Sequence, residues 1–370
     1  MRILILSCNT GQGHNSAAHA LKEALERHGD VCDIHNTLLF LSPTKDKIIC
    51  NGHVFVYRNL PRLFGLGYRY EEKHPPTFIC KQLSHGIGKI HDFLLQNPYD
   101  AIICVHVFAA ILVNEMKKET GMQIYTSFVS TDYTCCPGAL QSEADTYFTP
   151  HPLLNDEFFR AGIAQDTVVP CGIPVSRVFL NRVPKAEARR VLGLPQDREI
   201  VLIGCGSMGA GSIEDLAIRL SEKLGDAAFI IVCCGSNQRM LSKMLRLEHS
   251  NILPLGYTRR MSLYMDAADL YLSKAGGLST TEAVMKQLPL IYMNAVPGCE
   301  TKNIEFMTRH GFAAASFSDE EALQLVDQVL KNPESARAKI AECRQALPAD
   351  PADVICEYIR HHLEKTEVIS

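Results

Sequence analysis

The sequence lacks two features that would have defined its class at once, a long apolar run and an excess of positive charge. None of its 370 residues lies in a stretch near the ~18 apolar residues of a spanning helix, so we expect no transmembrane segment. The 37 Lys and Arg against 41 Asp and Glu give a net charge of −4, which argues against nucleic acid as a partner. The first apolar stretch is also too short for a secretory signal, which predicts a cytoplasmic protein.

The sequence has 14 cysteines but no Cys-x-x-Cys spacing, the arrangement typical of metal and redox sites. Several cysteines fall inside apolar runs, among them Cys104, Cys205, Cys233 and Cys234. A thiol in such a run behaves as a small apolar side chain. We therefore expect reduced cysteines in the core, with neither disulfides nor a metal site.

Short apolar runs alternate with amphipathic stretches of helical period, which predicts parallel strands joined by crossover helices. The predicted strands are 2–7, 31–36, 101–105, 123–129, 168–170, 199–203, 229–233, 252–255, 270–273 and 290–293. Prolines and a glycine around residue 172 separate two halves. We expect an α/β protein with two Rossmann-like domains, 1–172 and 173–347, facing a cleft, and a final helix in 348–370 that packs back on the first domain.

The first strand feeds the turn Gly11-Gln12-Gly13-His14, which opens a helix. Glycines allow close approach of a ligand to the backbone, and a helix N-terminus favours an anion. A dinucleotide site would want Gly or Ala where Ser16 stands, and an acid better placed than Asp33. Nicotinamide or flavin binding and a plain turn without a ligand stay open. His14 favours chemistry at this turn, because an imidazole exchanges protons near neutral pH.

The second half has three comparable turns after strands. The first, Gly204–Gly209, lacks the Lys of a phosphate-binding loop and suits a diphosphate held by backbone N–H groups. In the second, Gly276 and Gly277 precede three hydroxyl residues at a helix start, with Glu282 placed to accept ribose hydroxyls. The third begins at Pro297. It carries Glu300 and Asn303, whose carboxylate and amide suit sugar hydroxyls. Helix capping by these side chains is the structural alternative.

These motifs occur in one order along the chain, from the Gly11–Ala18 turn through Phe128–Tyr133 and Cys171–Val175 to the turns of the second half. In this order the sequence resembles the monogalactosyldiacylglycerol synthase and processive diacylglycerol glucosyltransferase family, over roughly residues 1–345. The resemblance implies a glycosyltransferase fold of the B type. It also implies inverting transfer of a hexose from a UDP-sugar to a diacylglycerol-type lipid acceptor, with no cofactor and no obligatory metal.

The resemblance also assigns the residues of the site. The donor-binding residues it implies are Gly206, Ser207, Met208, Gly209, Tyr257, Thr258, Gly276, Gly277, Ser279, Thr280, Thr281, Glu282, Glu300 and Asn303. The acceptor side it implies comprises Gly11, Gly13, Asn15 and His106. An inverting transfer needs a base for the acceptor hydroxyl, and we predict His14 in that role, with Asp132 orienting it or replacing it. Cys299 stands where the family often has Gln.

Residues 52–91 combine six aromatic residues with six Lys or Arg and only two Glu. Aromatic side chains with cationic neighbours suit an anionic bilayer surface. We expect this segment to be a loop with short helices, interrupted by Pro61, Gly65, Gly67 and Pro75–Pro76, that places the protein on the inner face of the cell membrane. Two rival functions stay open: a UDP-sugar epimerase resembling UDP-N-acetylglucosamine 2-epimerase, and a UDP-sugar sensor without catalysis.

Overall fold

The computed structural model describes residues 1–9, 11–42, 56, 60–74, 77–204, 213–247, 249–293, 295 and 297–369. The chain forms two compact units. Unit 1 comprises Met1–Arg177, Val296–Cys299 and Leu347–Ser370, and unit 2 comprises Val178–Ala295 and Glu300–Ala346. The final helix therefore belongs to unit 1, although it follows unit 2 in the sequence.

Unit 1 is built on a six-stranded parallel sheet, in the order β2-β1-β3-β4-β5-β6. Its strands are β1 Arg2–Ser7, β2 Val31–Asn36, β3 Ala101–Cys104, β4 Tyr125–Val129, β5 Thr146–Thr149 and β6 Val168–Pro170. Its helices are α1 Gln12–Arg27, α2 Pro61–Lys73, α3 Thr77–Leu83, α4 Ile87–Gln96, α5 Val107–Thr120 and α6 Asn155–Arg160. Helix α7, Arg177–Leu180, carries the chain into unit 2.

Unit 2 has a second six-stranded parallel sheet, in the order β12-β11-β10-β7-β8-β9. Its strands are β7 Glu199–Gly204, β8 Ala228–Cys233, β9 Ile252–Leu255, β10 Leu270–Ser273, β11 Leu290–Met293 and β12 Ala314–Ser316. Its helices are α8 Lys185–Leu192, α9 Ile213–Leu224, α10 Gln238–Leu245, α11 Met261–Ala267, α12 Gly277–Lys286, α13 Cys299–Arg309, α14 Asp319–Lys331 and α15 Pro333–Gln345. The first residue of helix α13, Cys299, is assigned to unit 1, and the rest of the helix belongs to unit 2.

The last helix, α16 Pro351–Ile369, completes the core of unit 1 by packing against α1. Ile355 and Ile359 are fully buried there, in the same cluster as Leu21. Each such side chain contributes about 1.5–3 kcal/mol when it leaves water. The Arg360 guanidinium pairs at 2.6 Å with Asp30, which also binds the N-terminal amine at 2.8 Å. The end of the chain is thus tied to its beginning.

Each sheet reverses its strand order once, and this fixes where a ligand is expected. The reversal falls between β1 and β3 in unit 1, and between β7 and β10 in unit 2. In open parallel sheets, ligands bind beyond the carboxyl ends of the strands at this switch point. The segments that follow Ser7, Cys104, Gly204 and Ser273 are therefore the candidate site segments.

The predicted α/β class with two Rossmann-like sheets is confirmed, and three local predictions need correction. Strands β5 and β12 were not predicted, because Thr146–Thr149 carries threonine at both ends and Ala314–Ser316 has only small side chains, so neither contains a run of large apolar residues. Gly65 and Gly67 do not interrupt the basic aromatic segment, because both lie inside the 13-residue helix α2. Gly65 is buried, and a Cβ there would collide with the Pro297 ring. Of the helices described, none has the length and apolarity to cross a membrane.

Candidate active site

The turn between β1 and α1 presents the predicted base at the switch point of unit 1. Gly11 is the N-cap residue in an extended conformation, and Gly13 and His14 lie in the first turn of α1. The side chain of Asn15 fastens this turn. Its Oδ1 accepts from Ser7 Oγ at 2.7 Å, and its Nδ2 donates to Asn9 Oδ1 at 2.9 Å. The structure thus assigns Asn15 a contact that holds the turn to the strand.

The imidazole of His14 is held by groups from two other strand ends. Its Nδ1 lies 3.0 Å from the carbonyl oxygen of Val105 and 2.8 Å from Thr131 Oγ1. A carbonyl oxygen can only accept, so Nδ1 carries the proton and Nε2 keeps its lone pair. This is the tautomer that a general base needs, and the carbonyl acts as the group that orients it.

The pKa of His14 is lowered from 6.5 to about 4, mainly because surrounding protein atoms displace the water that would stabilise a charged ring. The hydrogen bond to Val105 acts in the opposite direction and is the smaller effect. Around neutral pH the ring is therefore uncharged and ready to accept a proton.

His106 supports this turn as a neighbour of His14. The two rings meet edge to face, with centroids 4.6 Å apart. His106 is also the N-cap of α5, where its Nδ1 accepts the backbone N–H of Phe108 at 3.1 Å. A ring whose Nδ1 accepts carries its proton on Nε2 when neutral, so the two histidines hold opposite tautomers.

Asp132 follows Thr131 in the sequence, and its carboxyl lies near Cys299 and Tyr68. It adjoins the thiol of Cys299 and raises the pKa of that thiol together with burial, the larger cause. The hydroxyl of Tyr68, from α2, is buried beside the same thiol and carboxyl, and the Tyr68 pKa is raised by burial. The Cys299 thiol is within hydrogen-bonding reach of this hydroxyl. The Nδ1 of His14 contacts Val105 and Thr131. A direct role for Asp132 toward His14 stays a prediction.

In unit 2, the predicted residues of the first turn, Gly206, Ser207, Met208 and Gly209, lie outside the described residues. The second turn is described in full. Gly276 is the N-cap of α12, and its carbonyl accepts from Ser279 Oγ at 3.2 Å. The N–H groups of the first turn of α12, beginning at Gly277, point out of the helix end, as they do at any helix N-terminus.

Two predicted donor-binding residues make hydrogen bonds within unit 2. The hydroxyl of Thr280 lies 2.8 Å from the Tyr292 hydroxyl, and that of Thr281 donates to the Gly277 carbonyl at 2.9 Å. Both side chains are buried. The Thr280 hydroxyl thus ties α12 to β11, whereas the Thr281 hydroxyl bonds within α12 itself. Both side chains face the core because position along a helix decides which side of it is buried.

Two other predicted residues hold the turn after β10. Lys274 Nζ donates to Glu300 Oε1 at 2.8 Å, and Asn303 Nδ2 donates to the Ala275 carbonyl at 2.7 Å. Glu300 and Asn303 are buried. Sequence reasoning missed Lys274 as a charged group of the site, although it stands at the strand end where such a group would act.

Glu282 differs from its neighbours because nothing in the described chain binds its carboxyl. The side chain is half-buried on α12, and burial raises its pKa from 4.5 to about 8. At neutral pH it is mostly protonated, since no cation or donor offsets the loss of water. Beyond β9, the ring of Tyr257 is 70% exposed, and Thr258 Oγ1 accepts the Arg260 N–H at 3.0 Å. Glu282 and Tyr257 are thus available to a ligand.

Two family models match successive parts of the chain. Residues 14–175 match the family model of monogalactosyldiacylglycerol (MGDG) synthase, and residues 200–348 match that of the glycosyltransferase family 28 C-terminal domain. The processive diacylglycerol beta-glucosyltransferase of Staphylococcus carnosus is 26% identical, over 98% of this chain and 93% of that protein.

Solved structures share the fold over nearly the whole chain. MurG of Acinetobacter baumannii has a TM-score of 0.64 at 17% identity, covering 97% of this chain and 99% of that one. A putative UDP-N-acetylglucosamine 2-epimerase of Listeria monocytogenes has a TM-score of 0.65 at 13% identity, covering 99% and 97%. At such low identity these likenesses establish the fold alone, and they do not separate a transferase from an epimerase.

The two family models together with the full-length relatives define the class: the chain is a glycosyltransferase with the B-type fold. Within that class it is similar to the monogalactosyldiacylglycerol synthases, whose family model matches its first half, and to the processive diacylglycerol glucosyltransferases, which match over nearly its full length at 22–26% identity.

Proposed function

We propose that this enzyme transfers a hexose from a UDP-sugar to the hydroxyl of a diacylglycerol-type lipid at a membrane surface, with inversion at the sugar carbon. The acceptor hydroxyl oxygen bonds to C1 of the hexose, and the bond from C1 to the β-phosphate oxygen breaks. UDP leaves with that electron pair. The similarity to these relatives supports the lipid acceptor, because they are named for transfer to diacylglycerol.

One observation carries this proposal: the His14 ring is held neutral with its Nε2 lone pair available. The Val105 carbonyl fixes the proton on Nδ1, and burial lowers the pKa. We assign His14 Nε2 as the atom that takes the hydroxyl proton during transfer. General-base help of this kind contributes about 10²–10⁴ in rate. The buried Tyr68 hydroxyl, beside Asp132 and the Cys299 thiol, supports an acceptor-binding role for that corner of unit 1.

We assign the donor to unit 2. The N–H groups at the start of α12 would receive the diphosphate, and Lys274 adds a positive charge at the end of β10. Glu282, which lacks a partner among the described residues, would accept the ribose hydroxyls. Glu300 and Asn303 would reach the hexose. The N–H groups of α12 and the Lys274 ammonium would stabilise the negative charge of the leaving UDP, so the proposal requires neither a cofactor nor a metal.

We also assign helix α2 as the surface that meets the membrane. Leu63, Leu66 and Tyr70 follow one another at helical spacing, and they are 56%, 57% and 64% exposed. Arg69 and Lys73 are exposed on the same helix. An amphipathic helix with apolar and cationic groups of this kind binds anionic bilayers in the plane of the interface.

The transfer reaction is tested by incubating the protein with UDP-glucose, UDP-galactose or UDP-N-acetylglucosamine and vesicles that contain diacylglycerol. We expect glycolipid and UDP to form together from at least one donor. Conversion of the UDP-sugar without lipid would instead identify an epimerase. UDP binding without any turnover, unaffected by His14→Gln, would identify a sensor and contradict the proposal.

The membrane surface is tested with the double variant Leu63→Ser/Leu66→Ser in a sedimentation assay with anionic vesicles. Each lost leucine removes roughly 1.5–3 kcal/mol of apolar burial, so binding should fall at least tenfold. Leu95→Ser is the matched control, because Leu95 is 63% exposed on α4 outside this segment. Equal binding by the double variant and the control would reject α2 as the membrane surface.

A further inference from the structure

A pocket of unit 2 lies at the end of the sheet opposite to the proposed donor site. It has a volume of about 360 Å³ and is bounded by the segments 182–185, 265–269 and 286–289 together with Arg337. Asp269 directly precedes β10, and Leu288 and Pro289 directly precede β11. The proposed donor groups follow the carboxyl ends of the same strands. A four-residue strand spans on the order of 13 Å, so the pocket is a separate place in the fold.

The charged groups that line the pocket carry more positive than negative charge. Its cations are Arg182, Lys185, Lys286 and Arg337, and its acids are Asp266 and Asp269. Both carboxyls are buried and already paired. Asp266 binds Lys286 at 2.7 Å, and Asp269 binds both Lys185 and the guanidinium of Arg189. Glu199 also hydrogen-bonds to Asp269, and its pKa is raised, mainly by burial. Arg337 lies 3.8 Å from Asp269 and 3.4 Å from Glu334. Counting Arg189, an ionised Glu199 and Glu334, five cations face four acids.

Three of the cationic side chains that line the pocket are accessible to a ligand. Arg182 is exposed and forms no ion pair with any described residue, while Lys185 and Arg337 keep about 41% and 40% of their side chains exposed at the rim. At the base, the ammonium of Lys286 is fully buried, and both burial and the charge of Arg182 lower its pKa. An anion between these groups would relieve their mutual repulsion.

The remaining walls favour an anion attached to an organic group. Val183, Met265, Ala268, Leu288 and Pro289 contribute apolar surface. A pocket of a few hundred Å³ with apolar walls and a few convergent charges is typical of small-molecule sites. Guanidinium groups bind tetrahedral oxyanions through paired N–H donors, and Arg182 and Arg337 supply two of them.

We propose that this pocket is a binding site for a phosphate monoester, distinct from the donor site and independent of the transfer reaction assigned above. The phosphate sits between Arg182, Lys185 and Arg337, over the buried pair of Lys286 and Asp266. The organic part lies against the apolar walls. Two sources offer this chemistry: a small phosphorylated metabolite, and the headgroup of a lipid that ends in a phosphate monoester.

The test is calorimetric titration of the full-length protein with inorganic phosphate and with glycerol 3-phosphate, at constant ionic strength and with saturating UDP to occupy the donor site. We expect saturable binding to the wild type that Arg182→Gln weakens at least tenfold and Arg182→Glu abolishes. Because Arg182 is exposed and makes no ion pair within the described part of the chain, these variants should keep their melting temperature. Arg190→Gln is the matched control, because Arg190 is exposed on α8 outside the pocket.

A second arm separates the two sources. Phosphatidylcholine vesicles with and without phosphatidic acid are offered to the Leu63→Ser/Leu66→Ser variant, in which the proposed membrane surface is weakened. Binding that depends on both phosphatidic acid and Arg182 identifies a lipid headgroup. Binding of the soluble compounds alone identifies a metabolite. If no ligand binds, or if Arg182→Gln binds as well as Arg190→Gln does, the pocket is no phosphate site and the proposal is rejected.

Discussion

His14 in unit 1 and Glu282 in unit 2 are both half-buried titratable groups near a switch point, and burial keeps both of them uncharged near neutral pH. Their pKa values move in opposite directions, to about 4 for the histidine and to about 8 for the glutamate. The difference lies in their partners. His14 is fixed by Val105 and Thr131, whereas the Glu282 carboxyl has no partner among the described residues.

In the proposed function, burial prepares His14 to accept a proton and Glu282 to bind hydroxyl groups. Removing water from an imidazole leaves a lone pair, and a fixed tautomer directs that lone pair at a substrate. Removing water from a carboxyl leaves an acid that gains when hydroxyl donors arrive, because they favour its charged form. On this account, the first unit is organised before an acceptor binds, and the second is completed by its donor.

The largest effect is expected from His14→Gln, which keeps a polar side chain at the turn and removes the base. The kcat for glycolipid formation should fall by about 10²–10⁴ with little change in the affinity for UDP. His19→Gln is the control, because His19 is exposed on the same helix. If His14→Gln kept at least a third of the wild-type kcat, His14 would have only a structural role and the comparison with Glu282 would no longer hold.

A smaller effect is expected in the pH dependence of UDP binding. With a pKa of about 8, Glu282 is roughly one-tenth ionised at pH 7 and mostly ionised at pH 9. The affinity for UDP should therefore rise by up to about tenfold between these pH values in wild type. The Glu282→Gln variant should show no such rise. Equal pH profiles for the two proteins, measured by calorimetry, would show that Glu282 does not contact the ligand.

The smallest effect concerns stability, where the two groups should act with opposite signs. Because the unfolded chain binds this proton more readily than the folded protein does, the His14 ring lowers the free energy of unfolding as the pH falls from 6.5 to about 4. An acid whose folded pKa is raised costs stability as pH rises from 4.5 to about 8. His14→Gln should thus gain stability relative to wild type near pH 4.5, and Glu282→Gln near pH 8.5.

Each relative gain should be on the order of 1–2 kcal/mol, after allowance for the solvent that reaches both half-buried groups. Urea unfolding at the two pH values measures it. Gains of the same sign at the same pH would contradict the opposite pKa shifts.

The alternation of apolar and amphipathic segments was sufficient to predict most of the fold. Strands β1, β2, β6, β9, β10 and β11 have the predicted bounds. Strand β5 was missed because Thr146–Thr149 is short and carries threonines at both ends, so it shows neither a continuous apolar run nor a clear alternation. Helix α2 was expected to break at Gly65, whose role is close packing against Pro297, a contact 232 positions away in sequence that no local pattern reveals.

The residue types of the candidate site were predictable, but several of their contacts were not. The motif order indicated His14, Glu282, Glu300 and Asn303. It did not indicate that the Val105 carbonyl orients His14, because that contact exists only once β1 and β3 lie side by side. Nor did it separate Thr280 and Thr281, which face the core, from Ser279, since that depends on how α12 is rotated on the sheet.

The most direct test of the account is the protonation state of the His14 ring, read by nitrogen-15 NMR of the labelled protein and assigned with His14→Gln. The account predicts a neutral ring at pH 7, with the proton on Nδ1 and none on Nε2, and a titration midpoint near pH 4. A ring that is charged at pH 7, or one that carries its proton on Nε2, would contradict the assignment of His14 as the base.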